Sequence, residues 1–331
     1  MSGGVLSLLQ LLALAASLFS VAIAAMVALA YPLARTRLAL LPPAQRATVL
    51  RWLCIAPLAG GTLLVGLCLL PSILGLLWPP LDHCHAHDGH LHLCLTHPPA
   101  AFVGPLGWFI GAAFWGLVTA ALVAVAQRRR PVARLLRELW HSAAYDPAVG
   151  AHLIASPRPF CAVVGLARQK IVLSTAVVAS LPEPLLRTVL SHEAAHVHRR
   201  DAAWQHVAAL LSVAHLPSIR DRLRADLALA TERACDEHAA AVVGDRLQVA
   251  RAILSVERLF RDGADVGAAA PGFGGSDVPA RIAGLLETPV ARRRAWGPRL
   301  AAIAIAAALL ALTPASTLHH WTETALGFFT H

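Results

Sequence analysis

The stretch His192-Glu193-Ala194-Ala195-His196 constrains this chain more than any other. On a helix, residues four positions apart lie one turn from each other on the same face, so both imidazoles can converge on one tetrahedral zinc ion. Glu193 lies about 100° round the helix from His192, where its carboxylate can take a proton from the attacking water. The pattern therefore predicts a helix that carries two zinc ligands and the general base of a hydrolase acting on peptide bonds.

A catalytic zinc ion takes three protein ligands and keeps its fourth position open. Glu232 is the expected third ligand, because it begins the motif Glu232-Arg233-Ala234-Cys235-Asp236 in a segment, 221–243, whose apolar residues recur at helical spacing. Asp236 is expected to hydrogen-bond one of the two histidines from behind. The alternative for both motifs is a charged helix face without a metal.

Two roles are open for Asp201. It either caps the helix that follows the first motif and runs to about His215, or it forms a further hydrogen bond behind the zinc site. Three protein ligands already complete a catalytic site, so we expect the other histidines of this region to lie at the surface or in packing contacts. They are His198, His206, His215 and His238.

The composition indicates a membrane protein. Of 331 residues, 57% are hydrophobic and 14% are charged, and the mean hydropathy is +0.60, which is too apolar for one soluble domain. The first apolar stretch lacks the basic residues that open a cleaved signal peptide, so we expect it to be retained. Three stretches, 5–33, 53–77 and 102–126, are long enough to cross a hydrocarbon core of about 30 Å. A fourth stretch, 300–318, is a weaker candidate because its apolar run is interrupted at Pro314.

The basic residues predict the orientation in the membrane. All 28 lysines and arginines lie in 34–51 and 127–299, so the positive-inside rule places both segments in the cytoplasm and both termini outside a bacterial cell (inner) membrane. The spans contain no Asp, Glu, Lys, Arg or His, which argues against a transporter. We attribute part of the basic excess to anionic headgroups of the lipid bilayer, and expect no direct nucleic-acid binding because no recognition motif accompanies it.

This organisation divides the chain into three parts. Residues 1–126 form a membrane domain with three transmembrane helices, 127–299 a cytoplasmic zinc metallopeptidase domain, and 300–331 a fourth transmembrane helix with a short external tail. Within the middle part, 160–164 and 171–173 are predicted strands. We expect 169–174 to be the sheet edge on which an extended substrate adds as a strand, the alternative being an ordinary hairpin strand.

The external loop, 78–101, holds a second group of metal-binding side chains. Six histidines and two cysteines lie within 15 residues and can bind a metal ion such as zinc or copper. In an oxidising exterior the two cysteines can instead form a disulfide, and a polar loop without a ligand is the third alternative. The hypothesis is a metal- or redox-sensing loop that signals through the flanking spans; its residues are His83, Cys84, His85, His87, His90, His92, Cys94 and His97.

Four segments resemble the peptidase domain of the BlaR/MecR-type antirepressor metallopeptidases. Three spans before the domain and one after it also match the layout of that family. The HtpX and CAAX-prenyl endopeptidases share the histidine motif and a Glu-x-x-x-Asp, and are the nearest relatives with which this family can be confused. The segments that carry the resemblance are 159–161, 170–173, 190–201 and 232–237.

The resemblance implies a mainly α, polytopic membrane protein with about four transmembrane helices and a gluzincin-like α+β zinc peptidase domain. It implies one catalytic Zn²⁺ on His192, His196 and Glu232, with Glu193 as general base. The substrate implied is a cytoplasmic protein, typically a transcriptional repressor, cleaved in response to an external signal; cleavage of the chain itself is left open.

The β-lactam sensors of that family append a penicillin-binding domain whose acylated serine lies in Ser-x-x-Lys. Here the single lysine, Lys170, has alanine at position 167, so we expect a different signal. Two other functions are left open. One is an HtpX-like quality-control protease, and the other is a metal-binding receptor or transporter whose zinc motif is structural.

Overall fold

The structure, a computed structural model, describes residues 2–78, 93, 95, 103–262, 277–287 and 315–330. These residues are mostly helical and contain one small sheet, as predicted. Three long helices come first, α1 (Ser2–Ala39), α2 (Pro43–Leu77) and α3 (Pro105–Ser142). The strands are β1 (Ala144–Asp146), β2 (Ala151–Ile154), β3 (Cys161–Val164) and β4 (Lys170–Ser174). The helices that follow are α4 (Thr175–Ser180), α5 (Glu183–Arg199), α6 (Asp201–Leu211), α7 (Pro217–Val243), α8 (Arg246–Asp262), α9 (Val278–Leu286) and α10 (Ala315–Gly327).

Helices α1, α2 and α3 are long and apolar enough to cross a membrane. Each covers one of the three stronger stretches predicted as spans, so the structure also indicates a membrane protein. The 35 residues of α2 extend about 52 Å at 1.5 Å per residue, which exceeds a hydrocarbon core of about 30 Å. Most of the fourth predicted stretch, 300–318, lies outside the described residues. Its last four residues belong to α10, which begins at Ala315.

The pair α1 and α2 forms a hairpin against which α6 and α7 pack. Its core combines residues of α1 and α2 with the apolar stripe of α7, where Leu223, Leu227 and Ala230 are almost fully buried. The helix predicted over 221–243 is therefore present, slightly longer at its start, and its apolar face packs against the hairpin. Because α7 also carries Glu232, the hairpin supports one side of the predicted metal centre.

Helix α2 contains a proline whose missing N–H leaves a backbone acceptor without its usual partner. The carbonyl of Leu53 would normally accept a hydrogen bond from residue 57, but residue 57 is proline. His215 fills this gap, since its Nε2 lies 3.0 Å from the Leu53 carbonyl oxygen. Burial lowers the pKa of His215, so a neutral imidazole donates here, and this histidine is a packing residue.

The sheet has the strand order β1-β2-β4-β3. The predicted strands 160–164 and 171–173 correspond to β3 and β4, which pair antiparallel. The prediction that 169–174 is the sheet edge is wrong, because β2 pairs with the other side of β4. β2 was not recognised in the sequence, and with it in place the edge strands are β1 and β3.

Helix α5 lies between this sheet and α8. Its apolar side, which includes Val189, packs into a core with Leu173 of β4 and Val256 of α8. The periodicity that buries this side places the histidine motif on another face, toward α7. The motif on α5 therefore faces α7, and each of these two helices is held by its own hydrophobic core.

Candidate metal centre

Helices α5 and α7 bring His192, His196 and Glu232 together, with ligand atoms that lie within 4.8 Å of one another. The two histidine Nε2 atoms are 3.2 Å apart. The carboxylate oxygens of Glu232 lie 3.5 Å from Nε2 of His192 and 3.6 Å from Nε2 of His196. Zinc ligands at about 2.0–2.1 Å in a tetrahedron are separated by about 3.3 Å, so the three side chains fit a single zinc ion.

The opposite nitrogens of both imidazoles face carboxylates. Nδ1 of His192 lies 3.0 Å from Oδ1 of Asp236, and Nδ1 of His196 lies 2.9 Å from Oδ2 of Asp201. If each Nδ1–H donates to its carboxylate, each Nε2 presents a lone pair, and the two lone pairs face each other. In that arrangement either a metal ion or a proton must lie between the two nitrogens, and carboxylates in this position also make the imidazoles better metal ligands.

The charges of the cluster favour an ionised carboxylate at Glu232. Burial opposes ionisation, but a hydrogen bond with His192 and the charge of Arg281 outweigh it and lower the pKa of Glu232 to about 2. Burial likewise opposes a charge on His192, yet Asp236 and Glu232 raise the pKa of its imidazole to about 9. Without a metal, a proton on His192 therefore compensates the negative charges of Glu232 and Asp236. A bound metal ion would replace this proton as the positive charge.

Asp201 reaches His196 because the chain turns sharply between α5 and α6. Arg200, the last residue before α6, has a φ of 53° and is in the left-handed region, which side chains other than glycine rarely adopt. Asp201 then begins α6, and no side chain caps that helix. Of the two roles open for Asp201, capping is therefore wrong, and its carboxylate contacts His196 instead.

Arg281 on α9 is a site residue that the sequence analysis did not identify. Its Nη1 lies 3.0 Å from Glu232, and its Nε and Nη2 lie 2.9 Å and 2.6 Å from the two oxygens of Asp236. The residue is only 3% exposed. One guanidinium therefore links the expected third ligand to the carboxylate behind His192. An isolated arginine in the otherwise apolar stretch of α9 is the sequence signal that could have found it.

The two buried cysteines of this region also contact the cluster. Cys161, the first residue of β3, hydrogen-bonds Glu193, and burial followed by the charge of Glu193 raises the pKa of the Cys161 thiol. Cys235 Sγ lies 3.5 Å from Asp201 Oδ2 and 3.4 Å from His196 Nδ1, and burial raises the pKa of its thiol as well. Both thiols are therefore protonated donors to carboxylates.

The remaining predicted residues lie elsewhere. His198 and His238 are exposed, and Nδ1 of His206 lies 3.3 Å from Arg129 of α3. The external loop residues predicted to bind a metal lie outside the described residues; they are His83, Cys84, His85, His87, His90, His92, Cys94 and His97.

A cavity of about 590 Å³ lies beside the edge strand β3. Residues 162–166 line one side of it, and the C-terminal part of α3, from Arg129 to Trp140, lines another. Ala202, next to Asp201, contributes to the wall from α6. The cavity therefore lies along β3 and beside the start of α6, and neither Glu193 nor the three expected zinc ligands are among its lining residues.

The site and fold define a class of protein, a metallopeptidase. Residues 126–274, somewhat less than half of the chain, match the model of Peptidase family M48, and this match indicates a zinc-dependent peptidase. No curated protein and no solved structure matches the chain. Arg281 and the arginines of α2 lie outside the matched segment.

Proposed function

We propose that this protein is a membrane zinc metalloendopeptidase that acts in signal transduction and hydrolyses a cytoplasmic protein, with a transcriptional repressor as the substrate. His192, His196 and Glu232 would hold the zinc ion. The observation that carries the proposal is the convergence of these three side chains at the separations of a tetrahedral site. The M48 match supports the hydrolysis of peptide bonds.

Bound zinc would supply Lewis-acid chemistry, polarising the scissile carbonyl and making a water molecule more acidic. Glu193 then accepts a proton from the attacking water and delivers it to the leaving amine, as a general base followed by a general acid. The protonated Cys161 thiol lies beside the Glu193 carboxylate and can donate to it. Asp236 and Asp201 keep the imidazoles oriented through Nδ1, and Arg281 orients Glu232.

The edge strand β3 is the surface on which a substrate can bind. Its outer backbone groups are available to an added strand, because the strand pairs with β4 on one side alone within the described sheet. A peptide that extends this sheet would pass Cys161 and reach Glu193. The cavity between β3 and α3 provides the room for it.

Contacts at both ends of α2 support a signalling role. At one end, the Leu95 N–H donates to Ser72 Oγ at 2.7 Å, and His319 Nδ1 lies 2.7 Å from the Cys68 carbonyl oxygen. At the other end, Arg51 contacts Asp201. Ser72 and Arg51 are separated by about 32 Å of continuous helix. We propose that a metal ion or a change of redox state at the histidine-rich loop acts through this helix on the peptidase.

Contacts between the basic segment 34–51 and the peptidase part support the proposal that both lie on the same side of the membrane. Arg35 Nε lies 2.6 Å from Asp226 Oδ2, and Arg46 Nη2 lies 3.4 Å from Asp226 Oδ1. With the positive-inside rule, this favours a cytoplasmic peptidase and external termini in a bacterial inner membrane. Labelling single cysteines in intact cells tests it, since a cysteine at position 331 should react with an impermeant reagent and one at position 238 should not.

The Glu193→Gln variant tests the proposed reaction. We expect it to keep the zinc ion, because Glu193 is not a ligand, and to lose peptidase activity by at least about a hundredfold. A proteomic comparison of cells with the wild type and the variant should then reveal the substrate as a cytoplasmic protein that accumulates uncleaved. Equal proteomes and an unchanged phenotype would argue instead for a receptor or transporter with a structural zinc site.

An HtpX-like quality-control protease is the second candidate, and the M48 match is compatible with it. The two candidates differ in their stimulus and in their selectivity. A quality-control enzyme should degrade unfolded membrane proteins without an added signal, whereas a signalling enzyme should cleave one folded substrate and respond to zinc, copper or oxidant outside the cell. Purified protein in vesicles can be tested against both kinds of substrate.

A further inference from the structure

We propose that Arg51 of the membrane helix α2 is a positioning residue of the metal centre, so that the metal affinity of the peptidase depends on how α2 is docked. The inference rests on the proposed function, since it concerns the same site. It assigns part of the centre to a helix outside the segment that matches the peptidase model, 126–274.

Arg51 reaches the centre through one intermediate residue. Its Nη2 hydrogen-bonds Oδ1 of Asp201, while Oδ2 of Asp201 lies 2.9 Å from Nδ1 of His196. Arg51 and Asp201 are 9% and 1% exposed, so little water can replace either partner. The ring of Trp204 lies 5.6 Å from the guanidinium carbon and fixes it from another side.

The two oxygens of Asp201 have different partners. Oδ2 contacts His196 and, at 3.3 Å, Nε of Arg199, whereas Oδ1 contacts Arg51. Without the Arg51 guanidinium, Oδ1 would lose a charged donor in a buried position, and the carboxylate could rotate away from His196. The imidazole would then lose the hydrogen bond that sets its tautomer and orientation. Changes of this kind behind a metal ligand typically lower metal affinity about 10- to 100-fold.

Arg46 offers an internal comparison on the same helix. It is buried to the same degree as Arg51, at 8% exposed, and it also pairs with a buried aspartate, Asp226. Asp226, however, contacts Tyr31 and Arg35 and none of the metal-binding side chains. Arg46 therefore contributes to docking alone, while Arg51 contributes to docking and to the orientation of His196.

The experiment compares Arg51→Gln with Arg46→Gln in the full-length protein in lipid nanodiscs. Zinc affinity is measured by chelator competition at one pH, and the visible absorption of the cobalt-substituted protein reports ligand geometry. We expect Arg51→Gln to bind zinc about 10- to 100-fold more weakly with a changed cobalt spectrum. Arg46→Gln should stay within about twofold of the wild type with an unchanged spectrum, because its aspartate does not touch a histidine.

A further variant, Arg51→Lys, covers the case in which Arg51→Gln does not fold. Lysine keeps the charge but has a single donor group, so we expect affinity between wild type and Arg51→Gln and a smaller spectral change. Equal effects of the two glutamine variants, or an unchanged cobalt spectrum in Arg51→Lys, would overturn the inference. A wild type that binds no zinc would instead overturn the proposed function, so the two failures are distinguishable.

Discussion

At the scale of single residues, the guanidinium of Arg281 contacts two carboxylates of the metal centre. It touches both Glu232 and Asp236, at 3.0 Å and 2.6 Å, and thereby couples a ligand to the partner of another ligand. A buried guanidinium shared by two carboxylates cannot be replaced by water. Removing it would take away the shared donor that orients the carboxylates of Glu232 and Asp236, so that neither the expected third ligand nor the partner of His192 would be held in place.

We predict that Arg281→Gln weakens zinc binding about 10- to 100-fold and lowers the rate of peptide hydrolysis. Arg233→Gln is the matched control, because Arg233 pairs with the exposed Glu287 on the same pair of helices. Chelator competition and inductively coupled plasma measurements of bound zinc check both variants. If the two variants retain zinc equally well, Arg281 does not orient Glu232.

The backbone at Arg200 stores strain that Asp201 requires. A residue other than glycine in the left-handed region costs on the order of 1 kcal/mol, and a β-branched residue fits there worst. We predict that Arg200→Val lowers the free energy of unfolding by about 1–2 kcal/mol relative to Arg200→Gly. Thermal unfolding of both variants measures the difference. Equal stabilities would show that the turn relaxes without this conformation.

At the scale of elements, a histidine of the peptidase part completes a hydrogen bond that a membrane helix lacks. His215 donates to the carbonyl of Leu53 because Pro57 cannot. The contact joins α2 to the turn before α7, beside the core that the two helices share. A proline within a long apolar helix thus becomes an attachment point between two parts of the chain.

A double-mutant cycle tests this attachment. We predict that His215→Leu lowers the free energy of unfolding by about 1–3 kcal/mol, since it leaves the buried Leu53 carbonyl without a donor. Pro57→Ala restores the N–H within the helix, so His215→Leu should cost less in that background. Unfolding of the four proteins in one detergent gives the coupling energy. A coupling near zero would contradict the role of His215.

Features that depend on residues close together in the sequence could be predicted, whereas contacts between residues far apart in the sequence could not. The spacing of His192 to His196 and of Glu232 to Asp236 is local, and helical periodicity therefore predicted which side chains share a face. The contact of Asp201 with His196 depended on one backbone angle at Arg200, which no periodicity indicates. Partners 45 and 150 positions apart, such as Arg281 with Asp236 and Arg51 with Asp201, left no local pattern.

The sheet shows the same limit for strands. β2 is as short as β3, with four residues, but its sequence Ala151-His152-Leu153-Ile154 contains one β-branched residue and lacks the enrichment in such residues by which β3 and β4 were recognised. Its parallel pairing with β4 over a long separation then decided which strand is the edge. The local strand pattern of 160–164 and 171–173 was correct, while the order of strands followed from a partner that the pattern did not reveal.

At the scale of the whole molecule, the hairpin of α1 and α2 and the peptidase part form one packed body, and Asp226 is an ionic contact between them. Its carboxylate accepts from Arg35 and from Tyr31 and lies near Arg46. Asp226 is six positions before Glu232 on α7, so the position of the hairpin bears on the helix that carries the expected third ligand. Docking of the hairpin should therefore respond to the charge of this aspartate.

Burial opposes ionisation of Asp226, but the hydrogen bonds from Arg35 and Tyr31 outweigh it and lower the pKa of the carboxyl. A carboxyl whose pKa is lower in the folded state stabilises that state above its ordinary pKa of 3.8, and the stabilisation is lost as the pH falls through the lowered value. We predict that Asp226→Asn is less stable than the wild type by about 2 kcal/mol at pH 6, because the uncharged amide weakens the hydrogen bonds from Tyr31 and Arg35. The loss is no larger because Arg35 is half exposed and water can solvate it. As the pH is lowered from 6 to 3, the difference should stay constant while the pH is well above 3.8 and shrink as it falls below that value. The unfolded wild type then takes up a proton that the folded carboxyl, with its lowered pKa, still resists.

Unfolding midpoints of the two proteins, measured across this pH range in the same detergent, follow the difference directly. Asp221→Asn is the control, because Asp221 lies on the same helix with an exposed side chain and pairs with its neighbour Arg220. Its difference from the wild type should stay within about 0.5 kcal/mol at every pH. A constant difference between the wild type and Asp226→Asn would mean that the carboxyl has the same pKa in the folded and unfolded states, and the ionic contact with the hairpin would then contribute nothing to docking.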